Sequence, residues 1–396
     1  MKIAGVGIMI GAFALVATCG TSALAESSAK GPKVTAPPGD LYQPPKPLPA
    51  APPGTLIWAK RVTGIPLHPP ATIWRILYHS RSREDHDIAV SGFAIVPKAP
   101  APTGGRPVYA WAHGTVGLGD QCAPSHAVRD NLPPYGGQQI ERGAVGVATD
   151  YEGLGTPGVP TFSVGLAEGR AVLDSVRAVA GLPNVGSLGD VVLAGHSQGG
   201  RAALFAGEIA ARYAPDLHLV GVAALAPGVE LPALVDYLAS SPGKAVVLMG
   251  AIGLRAAYPD LDLTSVFTPT AISDIPRVET ECVDTTVARY QPVPANQLIS
   301  RQPSSVTEVE RILEENSPGR MSPTVPIFIG HSEADEQVPV ELSARLMSKY
   351  CALGATVIRR TYPGADHVGV VDAANDDVLA FIADRYDHRD AANSCG

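Results

Sequence analysis

The sequence predicts an α/β protein, with a mostly parallel central sheet flanked by helices and interrupted once by a mainly helical insertion. Three observations carry this. Apolar, β-branched-rich runs alternate with helix-period runs over most of the chain, the pattern of a parallel sheet covered on both faces. The alternation lapses between residues 229 and 322 and then resumes. The glycine-flanked turn in VVLAGHSQGG falls between one such strand and the next helix, at the strand end where open α/β sheets bind ligands.

The chain of 396 residues is 45% hydrophobic and 17% charged, enough to bury a large core. A formal net charge of -8 with no basic stripe argues against nucleic acid as a partner. Lys2, the apolar run IAGVGIMIGAFALVA and the small residues Ala23 and Ala25 read as an export signal over 1–25, cut after Ala25. The apolar run falls short of the ~20 residues a membrane span needs. Cys19 in LVATC offers a lipoprotein signal instead, for which Thr18 is a poor preceding residue. Residues 26–55 are a Pro-rich leader that packs on the surface or stays flexible.

The first part of the core covers 56–228. TIWRILYHS and DIAVSGFAIVP alternate apolar and polar residues around a charged turn and read as an antiparallel pair. RPVYAWAHG and GAVGVATDYEGLG are strands, and EGRAVLDSVRAVAGL is a helix. DVVLAGHSQGG is the next strand, RAALFAGEIAARYA a helix, and LHLVGVAALAPG another strand. The insertion, 229–322, holds LPALVDYLASS and the apolar AVVLMGAIGLRAAYP. That apolar run serves as an acyl pocket or lid, or packs the insertion's own core. The second part of the core, 323–396, resumes with TVPIFIGHSEADEQVP, the helix VELSARLMSKYCALG, the strand ATVIRRTYPGADH and a helix around 369–386.

Candidate chemistry falls at the strand ends. Ser197 follows VVLAG, His113 to Thr115 follow VYAWA, Asp335 follows VPIFIG, and His367 ends the turn after TVIRRTY. Ser, then Asp, then His is the triad order of an α/β-hydrolase fold. A serine hydroxyl needs a base to attack, imidazole can take and return the proton, and a buried carboxylate fixes the imidazole tautomer. Gly195 and Gly199 serve the elbow, where side chains would clash. Glu333 and Glu336 are local rivals of Asp335, and Asp366 reads as a solvated loop residue. His388, in the charged tail, is the rival of His367.

The developing oxyanion needs backbone donors. The N–H of Gln198 is one, and Thr115, with Gly114 as its neighbouring alternative, is the other. His113 and His196 read as packing or loop-shaping residues. His331 and Asp335 suggest a metal pair but lack a third ligand, so no metal or cofactor is expected. With Cys19 removed, Cys122, Cys282, Cys351 and Cys395 remain, an even count that suggests two disulfides among three pairings.

AWAHGTVGLGDQCAPS, ATDYEGLGTPG, GHSQGG and HSEADEQVP together resemble the secretory lipase family, the fungal lipase A type and its bacterial relatives. The resemblance runs from about residue 50 to the end. It implies an α/β-hydrolase fold with a helical lid between the serine and acid strands. It implies cofactor-free hydrolysis of acyl esters or lipids through an acyl-enzyme, and a secreted protein. It also implies the pairings Cys122 with Cys282 and Cys351 with Cys395, the first tying the loop after HGT to the insertion. One departure is visible: the fungal type has an acidic residue near the oxyanion loop, where this chain has HGT. A transient contact with a lipid–water interface fits such a substrate. A peptidase or acyltransferase would use the same triad. A non-catalytic binding protein would not need three triad residues at their strand ends.

Overall fold

The computed structural model describes residues 34–395. The export signal over 1–25, Cys19 and the start of the leader lie outside the described residues. Among the described residues, nine strands form one sheet in the order β1-β2-β3-β5-β4-β6-β7-β8-β9. An edge strand, β1 (Leu56–Val62), pairs antiparallel with β2 (Ala71–Arg81), and β2 with β3 (Asp87–Pro97) over their whole length. β3 meets β5 (Val145–Thr149) antiparallel. All further pairs are parallel, through β4 (Arg106–Ala112), β6 (Leu188–His196), β7 (His218–Leu225), β8 (Ile327–Ser332) and β9 (Val357–Tyr362).

The central strands are apolar on both faces because helices cover both. Along β6, Val191 and Leu193 enter one apolar cluster while Val192 and Ala194 enter the other, as the two-residue period of a strand dictates. α1 (Gly136–Glu141) packs Ile140 on the second face; α2 (Gly165–Ala178) and α3 (Gln198–Tyr213) pack Val172, Val176, Leu204 and Ile209 on the first.

The edge strand β1 is not apparent in the sequence. A register shift between Leu56 and Trp58 breaks its alternation, and Lys60 and Arg61 are exposed. A bulge and outward charges are what an edge strand uses to avoid pairing with other chains. Of the leader, Leu41 and Tyr42 are buried with Trp58 and Leu77. The Tyr42 hydroxyl lies 2.9 Å from Ser125 Oγ.

Between β7 and β8 the chain makes six α-helices. They are α4 (Leu231–Ala239), α5 (Lys244–Ala257), α6 (Pro269–Val278), α7 (Val283–Tyr290), α8 (Ala295–Leu298) and α9 (Thr307–Glu315). The apolar run of helix α5 divides between two surroundings. Leu248, Met249 and Ile252 are buried in the main core, while Val246, Val247, Gly250, Ala251 and Leu254 line a cavity. After β8, α10 (Val340–Ala352) joins the first face through Leu342 and Leu346. The terminal helix is in two pieces, α11 (Val370–Ala373) and α12 (Asn375–Tyr386), both on the second face.

Strand order positions the chemistry. Ala112 of β4 pairs with Gly195 of β6, so the His113–Gly114–Thr115 loop and Ser197 leave neighbouring strand ends.

Candidate active site

The turn between β6 and α3 is built by close approach. Ser197 has φ 57 and ψ -117, a conformation a non-glycine residue holds only when its surroundings enforce it. A Cβ on Gly195 would lie 2.2 Å from the Gly199 carbonyl oxygen, and one on Gly199 would lie 1.9 Å from that of Ala112. Both positions therefore require glycine. Ser197 is further held by its N–H to Leu225 O at 2.9 Å, and its own carbonyl accepts from Arg201 and Gly228.

Three side chains form one hydrogen-bonded line. Ser197 Oγ lies 2.9 Å from His367 Nε2, and His367 Nδ1 lies 2.7 Å from Asp335 Oδ2. Asp335 presents only acceptors, so Nδ1 carries the hydrogen and Nε2 is left to accept from Ser197. The other carboxylate oxygen, Oδ1, takes the N–H groups of Gln337 and Val338 at 2.9 and 2.7 Å. Burial opposes ionisation of Asp335, but hydrogen bonds from His331, His367 and Val338 outweigh it and hold the carboxyl well below the usual range.

The rivals fall elsewhere. His388 Nε2 lies 3.2 Å from Asp190 Oδ2, at the opposite end of β6 from Ser197. Asp366 accepts from Gly369 N–H in its own turn. Glu336 does not face the imidazole nitrogens; its Oε2 accepts the His367 backbone N–H at 3.1 Å and so anchors the histidine turn. His331 lies 3.2 Å from Asp335 Oδ2 and 2.9 Å from the Val338 carbonyl, so it orients the acid. Neither role was read from the sequence. The visible signal was only that Glu336 and His331 sit beside Asp335 in HSEADEQVP. Among the described residues no group of three or more His, Cys, Asp or Glu is arranged to hold a metal ion.

The upstream loop closes over the serine. A Cβ on Gly114 would stand 3.7 Å from Ser197 Cβ, and Gly114, Thr115 and Gln198 line the same cavity as Ser197 and His367. His113 Nδ1 lies 2.7 Å from the Gly114 carbonyl and sets that peptide plane. Further along, Gly117, at φ 115, bridges to Cys282, and Val283 N–H bonds Val116 O at 2.9 Å. The Cys122–Cys282 disulfide spans this contact, and Cys351 pairs with Cys395. Replacing Cys122 and Cys282 together by serine opens a link across 160 residues. The expected loss in denaturant unfolding is about 2–5 kcal/mol; a loss under about 0.5 kcal/mol would show the link to be idle.

His196 donates from Nε2 to the His367 carbonyl at 2.8 Å, joining the elbow to the histidine turn. Burial, with the neighbouring His367, pushes the His196 pKa down to about 4. An unfolded histidine takes its proton near pH 6.5. Between about 4 and 6.5 the folded state therefore binds fewer protons, and stability is lost as pH falls through that window. A His196→Asn variant should lose less stability than the parent between pH 7 and pH 4.5 in urea titrations. Equal losses would contradict this assignment.

A cavity of about 810 Å³ opens from the serine into the insertion. Leu231 and Leu234 of α4, Val247 and Leu254 of α5, and Val309 and Leu313 of α9 line it. Val368, beside His367, is 64% exposed, and Tyr237, also lining the cavity, is 42% exposed.

The family model described as "Secretory lipase" matches residues 137–394. Lipase A of Moesziomyces aphidis is 25% identical over 350 residues, covering 82% of this chain and 74% of that protein. The secreted triacylglycerol lipase LIP4 of Malassezia globosa is 24% identical, covering 81% and 74%. Candida antarctica lipase A in its closed state superposes with a TM-score of 0.79 at 22% identity, covering 90% of this chain and 88% of that one. The rice cell wall degrading esterase LipA of Xanthomonas oryzae gives 0.71 at 19% identity, over 85% of this chain and 100% of that one.

Proposed function

Because the chain belongs to the secretory lipase family, we propose that it is a secreted serine hydrolase of acyl esters, with neutral lipid esters among its substrates. The observation that carries the reading is the unbroken line Ser197–His367–Asp335 at the mouth of an apolar cavity. A line of this kind activates an otherwise weak nucleophile.

In this mechanism the acyl chain enters the cavity and the ester carbonyl comes to rest at Ser197. Oγ attacks the carbonyl carbon as His367 Nε2 takes the hydroxyl proton. The negative oxygen is received by the backbone N–H groups of Gln198 and Thr115. Asp335 stabilises the imidazolium without taking its proton. The tetrahedral species collapses, His367 returns the proton to the departing alcohol, and an acyl-Ser197 ester remains. Water, deprotonated by His367, then attacks the acyl carbon, and the imidazolium returns the proton to Ser197 Oγ as the ester bond breaks and the acid leaves.

The exposed Val368 and Tyr237 at the cavity edge supply apolar contact for a lipid–water interface. Secreted relatives support an extracytoplasmic site of action, with residues 1–25 as the export signal. Each methylene buried in the cavity contributes up to ~0.8 kcal/mol. Turnover per enzyme of p-nitrophenyl esters should therefore rise from acetate towards medium and longer acyl chains, and emulsified triglyceride should be cleaved. Peptide p-nitroanilides should not be. Cleavage of the anilides with inert esters would overturn the reading in favour of a peptidase.

A further inference from the structure

A buried charge pair lies beneath the serine turn, and the acyl-transfer steps make no direct use of it. Glu168 stands in the first turn of α2 and is 1% exposed; Arg201 stands in the first turn of α3 and is 3% exposed. Arg201 Nη2 reaches both carboxylate oxygens at 2.9 and 2.8 Å, and its Nε reaches Oε2 at 3.3 Å. Taking two charges out of water is costly, and such a pair seldom stabilises a core more than apolar residues of the same size would. Fold stability alone is a weak reason for its presence.

Its other partners point to a different reason. Glu168 Oε1 also accepts from Gln198 Nε2 at 2.9 Å and from the Ser163 backbone N–H at 3.1 Å. Gln198 directly follows Ser197 and opens α3. The first N–H groups of a helix have no partner within it, so the Gln198 peptide is held from its other end, where the Ser197 carbonyl accepts from Arg201 and Gly228. Ser163 and its neighbour Phe162 line the cavity beside Gln198 and Arg201. One buried carboxylate thus joins the first residue of the serine helix to the cavity wall.

We propose that Glu168, locked in place by Arg201, is a positioning residue that grips the Gln198 side chain and so aims the Gln198 backbone N–H at the oxyanion. Oxyanion donors contribute because they are fixed before charge develops, and the bond to Glu168 adds a tie on the donor side of a peptide otherwise held through its carbonyl. The Thr115 donor on the opposite side is anchored separately, through Gly117 and Cys282. The inference rests on the ester-hydrolase reading above.

The test is a double-mutant cycle on the full chain with a short-chain p-nitrophenyl ester. Gln198→Met keeps the backbone donor, the side-chain length and the ion pair, and deletes only the bond to Glu168. It should lower kcat about 10-fold or more with KM within about twofold and the thermal midpoint unchanged. Glu168→Gln should lower kcat at least as much. The double variant should be no worse than Glu168→Gln alone, because residues acting through one bond do not add. Should Glu168→Gln fail to fold, Gln198→Met decides the matter by itself. A Gln198→Met enzyme with kcat within about twofold of the parent, or losses that multiply in the double variant, would overturn the proposal. A parent that hydrolyses no ester would overturn the hydrolase reading instead.

Discussion

Ser197→Ala should lower ester turnover by on the order of 10³-fold or more while leaving the fold intact. The hydroxyl is the only atom removed, and the backbone that shapes the turn keeps its bonds to Leu225, Arg201 and Gly228. His367 keeps its bond to Asp335 and its backbone anchor to Glu336. Far-ultraviolet circular dichroism and the thermal midpoint should match the parent. Residual turnover within about tenfold of the parent would mean that another group attacks the ester.

Asp335→Asn should be comparably damaging, on the order of 10³–10⁴-fold in kcat. The reason lies in which oxygen does what. Oδ1 accepts the N–H groups of Gln337 and Val338, so the amide oxygen of the variant is held at that position. The amide NH₂ then faces His367 Nδ1 and His331 Nε2, where the wild-type carboxylate accepts from both. His367 must respond by placing its hydrogen on Nε2, which then points a donor at Ser197 and can no longer take its proton. The loss should fall on kcat, with KM moving little, and the protein should remain folded. A loss of less than about 10-fold would imply that Asp335 packs the histidine turn without setting its tautomer.

Much of this arrangement was legible in the sequence, and the reason differs from element to element. β6 and α3 could be read because a β-branched strand, a glycine pair and a helix-period run follow one another within a short window. The antiparallel pairing of β2 and β3 was readable from apolar–polar alternation around a charged turn. β1 was not, because its bulge and its exposed lysine and arginine erase the period. The position of β4 between β5 and β6 was also hidden. Strand order depends on which neighbours bury the most surface, and no local spacing records it.

At the site, the three members of the hydrogen-bonded line could be named because each follows its own strand. Their supports could not. Glu168 lies 30 residues from Gln198 in the chain, and nothing in EGRAVLDSVRAVAGL separates it from a solvent-facing helix glutamate. Glu336 was visible only as a competitor for the acid position, and its bond to the His367 backbone becomes apparent only when the two turns meet. His331 was set aside in the sequence as a metal ligand for want of a third partner, and its place beside the acid emerges only in the fold, where Nε2 donates to the Val338 carbonyl and lies 3.2 Å from Asp335 Oδ2.

The central claim is that Ser197 forms a covalent bond to the acyl group. A fluorophosphonate ester reports this directly, since phosphorus takes the place of the carbonyl carbon and the adduct does not turn over. Peptide mapping by mass spectrometry should find one phosphonyl group per chain, on the peptide containing Ser197, with activity lost in proportion. The Ser197→Ala variant should take up none. Labelling of a different residue, or full ester turnover by a quantitatively labelled enzyme, would contradict the account.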